Sequence, residues 1–296
     1  MDLRISFTDF WQGHNPKNNI ISNCIRDVFN CELNIVSPAD ADVSFVTIYG
    51  TNHREVLRQY PTKSILWLGE NVRPNTLNAR YSISFDFGSY GGTNFRLPLW
   101  MSEIDWHETG LGVITLDKLR AILLEPRGYS LSDIEKREFC IAVFNNPEGT
   151  RLEAMRILNH FGKVTGYGRP FGNWFPTYET YKAKLELMGK YLFNLCPENS
   201  YYPGYYTEKC IHAKIAGSIP IYMADRYVRF DFRPTAFINL DDFQLDEAFC
   251  SYFQQLLKNP LAIQSMLNQP LLYRFPTLDP FKSFLHKSIS NILIDR

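Results

Sequence analysis

The chain has 296 residues and a mass of 34.5 kDa, enough for one large domain or two of ordinary size. Lys plus Arg and Asp plus Glu number 31 each, and a net charge of zero gives no support to a polybasic surface that tracks nucleic acid. At 45% hydrophobic and 21% charged the chain is globular, and no window approaches the roughly 18 uncharged apolar residues of a spanning helix.

A first strand is expected over residues 3–7. The polar stretch 8–15 after it carries the aromatic pair Phe10 and Trp11, followed by His14. Ile20, Ile21, Cys24, Ile25 and Val28 at helical spacing predict a helix over 17–29. Strands follow at 31–36 and 43–49, a helix at 53–60 and a strand at 63–68 closed by Gly69-Glu70-Asn71. This rhythm predicts α/β layers around a largely parallel sheet. Strands at 81–87 and 95–99 flank a glycine-rich turn. The stretch 103–137 is more polar, with a helix at 116–124, and the domain junction is set there, between residues 125 and 126.

A second α/β unit opens with a strand at 139–145, a break at 146–149 and a helix at 151–161. A strand at 163–165 runs into a loop at 166–169, then come a helix at 178–188 and a strand at 191–195. Thr207 is expected to cap a helix reaching Ile215, before strands at 219–222 and 236–240 and helices at 245–257 and 260–267. The tail, 276–296, reads as an amphipathic helix that packs back on the first domain or touches a membrane surface weakly. Two such units suggest a cleft with one substrate on each wall.

Several signals carry no chemistry. The six cysteines show no CxxC spacing and the six histidines no ligand pair, so neither zinc nor another metal site is expected. Residues 1–5 lack the regions of a signal peptide, so a cytoplasmic setting is expected, at most at the inner face of a membrane. Asp40-Ala41-Asp42 formally matches a metal-binding DxD but precedes a strand, which makes it a turn. Gly88, Gly91 and Gly92 do not form a dinucleotide fingerprint. Lys182, Lys184 and Lys190 read as a solvated face.

Residues 196–209 are the most informative. A strand ends, a loop rich in Gly and Tyr follows, and a helix begins with Glu208 and Lys209 in its first turn. Free N–H groups there form an anion site, and Lys209 opposes the helix dipole unless a negative group sits nearby. A solvated surface helix is the plain alternative.

These residues resemble the signature of the α-1,3/1,4-fucosyltransferases, glycosyltransferase family ten. The resemblance runs through Phe193-Asn194-Leu195-Cys196-Pro197-Glu198-Asn199, Gly204-Tyr205-Tyr206-Thr207-Glu208-Lys209 and Ala216-Gly217-Ser218-Ile219-Pro220-Ile221-Tyr222. Leu68-Gly69-Glu70-Asn71-Val72-Arg73-Pro74-Asn75, the blocks from Tyr81 and Phe95, Asn145-Asn146-Pro147 with Arg151, and Phe232-Arg233-Pro234 also match in order. It implies a GT-B fold, GDP-fucose as donor, inversion at the anomeric carbon, and a GlcNAc- or Glc-containing oligosaccharide or glycolipid acceptor. It implies Lys209 and Arg169 at the diphosphate, Glu208 at the ribose, and Asn199, Tyr205 and Glu198 on the remaining donor surface. Glu70 is the implied general base, with Glu198 and Asp86 as rivals, and Trp11, His14 and Asn71 are expected on the acceptor side. No metal is required by it, with Mn2+ or Mg2+ at most stimulatory, and the oligomeric state stays open.

The chain departs from the family pattern at His212, at Met223-Ala224 and at Pro197. Two alternatives therefore stand beside the main reading: transfer from another GDP-sugar, and a non-catalytic carbohydrate-binding protein.

Overall fold

The computed structural model describes residues 2–110, 112–147, 149–173, 180–243 and 247–295, which form two compact units. Unit 1 comprises residues 1–112 and 276–296, and unit 2 residues 113–275. The division falls earlier than the expected 125/126. Residues 120–124 pack on the helix Glu208–Ile215, and Leu123 accepts a backbone hydrogen bond from Leu272, so this stretch belongs to the second unit.

Unit 1 is built on β1 (Asp2–Thr8), β2 (Glu32–Ile35), β3 (Val43–Val46), β4 (Ser64–Trp67), β5 (Tyr81–Ser84) and β6 (Asn94–Arg96), with helices α1 (Ile20–Phe29) and α2 (His53–Gln59). All six strands pair in parallel, in the order β2-β1-β3-β4-β5-β6. A minor pair, β7 (Ile104–Asp105) and β8 (Ile114–Thr115), follows. The glycine-rich turn at 88–92 thus joins parallel neighbours. α1 begins later than its apolar spacing predicts, because Asn19 caps it by accepting from the N–H groups of Ile21 and Ser22. β3 stops at Val46, where the Thr47 hydroxyl turns to the carbonyl of Asp9.

Both faces of this sheet are covered, as a parallel sheet requires. Val46 and Leu66 pack on Val56 and Leu57 of α2. On the other face Trp67 and Phe95 meet Phe281 of a C-terminal helix, Asp279–Ile294. That helix also packs on α1, with Lys282 2.7 Å from Asp27 and His286 stacked on Phe29. Phe281, Leu285, Ile289 and Ile292 are buried, so its apolar face is not available to a membrane.

Unit 2 runs through α3 (Leu116–Leu119), α4 (Leu131–Glu135), β9 (Glu138–Val143), α5 (Thr150–Leu158), β10 (Val164–Tyr167), α6 (Thr180–Met188), β11 (Tyr191–Leu195), α7 (Glu208–Ile215), β12 (Ile219–Tyr222), β13 (Ile238–Asn239), α8 (Glu247–Leu257) and α9 (Pro260–Asn268). The C-terminal helix of unit 1 is α10. The strands are again parallel, in the order β10-β9-β11-β12-β13. Gly166 and Tyr167, expected in a loop, extend β10 by pairing with Ala142 and Val143. The expected helix starts at 178 and 245 lie outside the described residues, as do Glu179 and Arg296.

One cation is spent on architecture. Lys214 on α7 is 2% exposed and donates to the carbonyls of Met266 and Leu267, both at 3.0 Å, at the end of α9. Both carbonyls belong to the last turn of the helix, where intrahelical donors run out; that of Met266 also accepts from the Gln269 N–H at 3.3 Å. Burial pushes the Lys214 amine down to about 7. Among the described residues no helix is long and apolar enough to cross a membrane.

Candidate functional site

In both sheets the strand order reverses once, beside the first strand, and open α/β sheets bind ligands beyond the carboxyl ends of their strands at such a point. In unit 2 that point lies between β9 and β11. A cavity of about 270 Å3 opens there, lined by Gly149, Thr150 and Arg151 at the start of α5, by 198–201 after β11, and by Met223 after β12. The unpaired N–H groups of a helix N-terminus favour an anion at that wall.

Arg151, 4% exposed, holds the loops around this cavity together. Its Nη1 donates to the Asn146 carbonyl at 2.7 Å, while Nε and Nη2 donate to the Pro197 carbonyl at 3.1 and 2.9 Å. Glu198 is the hub of the adjacent network. Its Oε1 accepts from the Thr207 N–H at 2.8 Å and the Tyr222 hydroxyl at 2.6 Å, and its Oε2 from the Thr207 hydroxyl at 2.6 Å and Lys209 at 2.8 Å. Thr207 therefore does not cap α7 as expected: its hydroxyl is drawn to Glu198 instead.

Lys209 Nζ reaches Glu198 Oε2, the Thr207 hydroxyl at 2.8 Å and Glu208 Oε1 at 3.3 Å, so its three protons all have partners. Burial disfavours this ammonium, yet Glu198 and Glu208 hold its pKa above the ordinary value. Against burial, Lys209, Lys184 and His212 in turn keep Glu208 well below the carboxylate range. The cluster brings the cations Arg151, Lys184 and Lys209 together with the carboxylates Glu198 and Glu208.

Other expected donor residues sit differently. Asn199 is exposed and lines the cavity. Tyr205 is 4% exposed and lies outside the cavity lining, in a loop pinned by Asp225, which accepts from the Tyr206 hydroxyl at 2.7 Å and the Gly204 N–H at 3.3 Å. Arg169 follows β10 on an exposed turn and does not line the cavity; its N–H donates to Asn145 Oδ1 at 3.1 Å. Lys184, read from the sequence as part of a solvated face, lies 3.1 Å from Nδ1 of fully buried His212.

In unit 1 the corresponding end lies beyond β1 and β3. Trp11 is 45% and Tyr49 44% exposed, edge to face with ring centroids 6.2 Å apart. His14 sits beneath Trp11, its ring 4.3 Å from that of Phe10 and 5.0 Å from that of Phe7. Both its nitrogens are shielded without a hydrogen-bond partner, and burial pushes its pKa down to about 4. His14 thus supports Trp11 with an uncharged ring rather than presenting a nitrogen to solvent.

Glu70, half-buried, follows β4 and Gly69. Glycine at position 69 is not required by the backbone, whose φ there is not positive. The physical reason is space: a Cβ there would overlap the Tyr49 hydroxyl. Asn71 Oδ1 accepts from Arg73 Nη2 at 2.6 Å, and Arg73 Nη1 reaches Asp86 at 3.2 Å. Asp86 also accepts from the Tyr90 hydroxyl at 2.6 Å and the Gly88 N–H at 3.1 Å, a structural role rather than that of a base. Asp42 of the DxD triplet binds the Arg4 N–H and guanidinium, both at 2.8 Å. Among the described residues no three His, Cys, Asp or Glu side chains gather as a metal site.

Two family models match the chain. Residues 5–102 match the alpha-(1,3)-fucosyltransferase FucT N-terminal domain, and residues 134–268 match the C-terminal part of glycosyltransferase family 10 (fucosyltransferase). The chain belongs to glycosyltransferase family 10. The alpha-(1,3)-fucosyltransferase FucT of Helicobacter pylori is 27% identical over 97% of this chain and 63% of its own length. The 4-galactosyl-N-acetylglucosaminide 3-alpha-L-fucosyltransferase 9 of Mus musculus is 30% identical over 44% of this chain and 36% of its own length. A crystal structure of an alpha1,3-fucosyltransferase superposes with a TM-score of 0.76 at 24% identity, covering 98% of this chain and 90% of that one. A crystal structure of an alpha1,3-fucosyltransferase with GDP-fucose gives 0.69 at 24% identity, with the same shares covered. The chain thus shares its fold, two sheet-containing domains, with family 10 fucosyltransferases, and spans under two thirds of the length of the curated relatives named here.

Within this family 10 chain, Trp11, His14, Glu70 and Asn71 fall under the N-terminal model and the cluster around Glu198 under the C-terminal one. Arg151 belongs to a matching block of the sequence that carries no role of its own there, although its guanidinium organises the cavity. Met223 stands out in the sequence only as a departure from the family pattern. Tyr49 ends an expected strand; the signal that marks it is an aromatic residue at the carboxyl end of a strand beside the order reversal.

Proposed function

We propose that this chain is an inverting glycosyltransferase of GT-B class, with two Rossmann-like units. It moves L-fucose from GDP-fucose to a hydroxyl, O3 by family expectation, of GlcNAc or Glc in an oligosaccharide or lipopolysaccharide. Unit 2 would hold the donor and unit 1 the acceptor. One observation carries the reading: the cavity at the β9/β11 reversal, with the start of α5 as a wall and the buried cations Arg151 and Lys209 beside it. A nucleoside diphosphate brings the negative charge that this arrangement favours. The six cysteines are all free thiols, which fits a cytoplasmic setting.

The acceptor oxygen attacks the anomeric carbon opposite the leaving diphosphate. The new C–O bond forms as the old one breaks, the electron pair leaves with GDP, and the configuration inverts. Glu70 takes the hydroxyl proton, a task for a carboxylate at least partly withdrawn from water. Arg151 and the start of α5 meet the charge growing on the diphosphate. Lys209, its protons already engaged, contributes as a fixed charge preorganised by Glu198. Asn199 and Glu208 complete the donor surface in this reading, and Tyr205 supports it from beneath. Arg169 would approach the donor only from the rim.

Met223 in the cavity lining favours a second reading, transfer from a different GDP-sugar. Calorimetric titration with GDP, GDP-fucose, GDP-mannose and UDP-galactose separates the two, with Lys209→Ala as control. Selective binding of GDP and GDP-fucose that collapses in the variant is expected. Equal or tighter binding of GDP-mannose would move the donor assignment, and no binding of any guanine nucleotide would end it.

A further inference from the structure

We propose that Tyr49 is a specificity-determining residue for the acceptor, forming with Trp11 a two-ring corner that receives the apolar face of a hexopyranose beside Glu70. The inference rests on the reading above that this end of unit 1 receives a glycan. Both rings are close to half exposed, Trp11 at 45% and Tyr49 at 44%, at the carboxyl ends of the two strands that flank the order reversal. Their planes meet at 88°, so one ring forms a floor and the other a wall. A pyranose has a face of C–H groups and an edge of hydroxyls, and an amphipathic aromatic corner suits that shape.

The corner is held from three sides. His14 and Phe10 support Trp11 at 4.9 and 5.5 Å between ring centroids. The Tyr49 phenol lies against Gly69, where only the missing side chain leaves room, which fixes the ring next to the residue preceding Glu70. The loop that carries Tyr49 is latched by Asp9, itself at φ 58, whose carboxylate accepts from the His53 N–H at 2.6 Å and Asn52 at 3.1 Å. A sugar seated there lies close to Glu70 with water displaced from its apolar face. Tyr49 would then discriminate between acceptors and leave the donor alone.

The test measures binding of N-acetyllactosamine by saturation-transfer NMR and of GDP by calorimetry, on the full chain. Trp11→Ala and Tyr49→Ala are each expected to weaken the disaccharide about tenfold or more, with GDP affinity unchanged. Gly69→Ala should weaken it comparably by displacing the phenol, and adding Tyr49→Phe to Gly69→Ala should recover part of the loss. Disaccharide binding undiminished in Tyr49→Ala, equal losses of disaccharide and GDP, or a wild type that does not bind the disaccharide would each overturn the proposal. Disaccharide binding that depends on Tyr49, without turnover of GDP-fucose, would sink the transferase reading and leave this subsite standing.

Discussion

The two strand-end sites are built on opposite principles. In unit 2 the Glu198 cluster is charged and closed: both carboxylate oxygens, the Thr207 hydroxyl, the Tyr222 hydroxyl and the Lys209 ammonium all have partners at 3.3 Å or less. In unit 1 the Trp11–Tyr49 corner is aromatic and open, and its buried imidazole has no hydrogen bond. A phosphate-bearing ligand calls for charge fixed in advance, because reorganising charge inside a low-dielectric site is costly. A neutral sugar calls for shape and dry contact. In the proposed reading, one family fold supplies two recognition chemistries from the same position in two similar sheets.

The comparison can be broken most sharply at Glu70. Glu70→Gln keeps the shape of the open site and removes the proposed base, so turnover should fall by about 10^2–10^4-fold with GDP binding unchanged. Steady-state GDP release measures it, and wild-type turnover in this variant would move the base elsewhere. The closed site should respond in stability instead. Glu198→Ala strips the partner from Lys209, Tyr222 and Thr207, and a loss of about 3–5 kcal/mol is expected in denaturant unfolding. A loss below about 1 kcal/mol would mean that the network is ornamental.

Lys214 supplies a third test. Its pKa is depressed from the ordinary 10.5 to about 7, so the unfolded chain binds the proton more readily between those values. The contribution to stability is fully present above about 10.5 and is lost as pH falls through 7. Lys214→Met should cost about 1–3 kcal/mol at pH 9, where the Leu267 carbonyl loses its donor and the Met266 carbonyl keeps only that of Gln269, and less at pH 6. Melting temperatures at the two pH values decide it.

The smallest effect sharpens the open site. His14→Phe replaces two unpartnered nitrogens by carbon within a ring of aromatics and should stabilise the fold by about 1 kcal/mol. The His14 pKa is lowered from 6.5 to about 4, so its contribution is full above 6.5 and is lost as pH falls through 4. The variant should flatten acid unfolding in that window, and an unchanged acid profile would show that the imidazole finds a partner in solution.

What the sequence discloses and what it hides divide along local and non-local lines. Apolar runs such as 191–195 and 219–222 are strands in both readings because a buried parallel strand needs little beyond its own residues. The order of β5 and β6 was less plain, since glycines at 88–92 suit many turns. The link from Arg151 to the Pro197 carbonyl spans 46 residues, and that from Tyr49 to Gly69 crosses a helix and a strand, so no local pattern could announce either. Thr207 has the composition of a cap, yet its hydroxyl bonds Glu198, where a buried carboxylate outcompetes a helix terminus. Glu198 and Lys209 were legible as residues of interest; that they neutralise each other was not.

The return of the chain to unit 1 bears on its synthesis. Unit 2 is contiguous, whereas unit 1 needs α10 to cover α1, Trp67 and Phe95. As the chain leaves the ribosome, unit 2 has all its strands before residue 279 is made, while one face of the first sheet still lacks its cover. The part that begins first is completed last. Until α10 arrives, that apolar face is exposed to the encounters that chaperones exist to prevent.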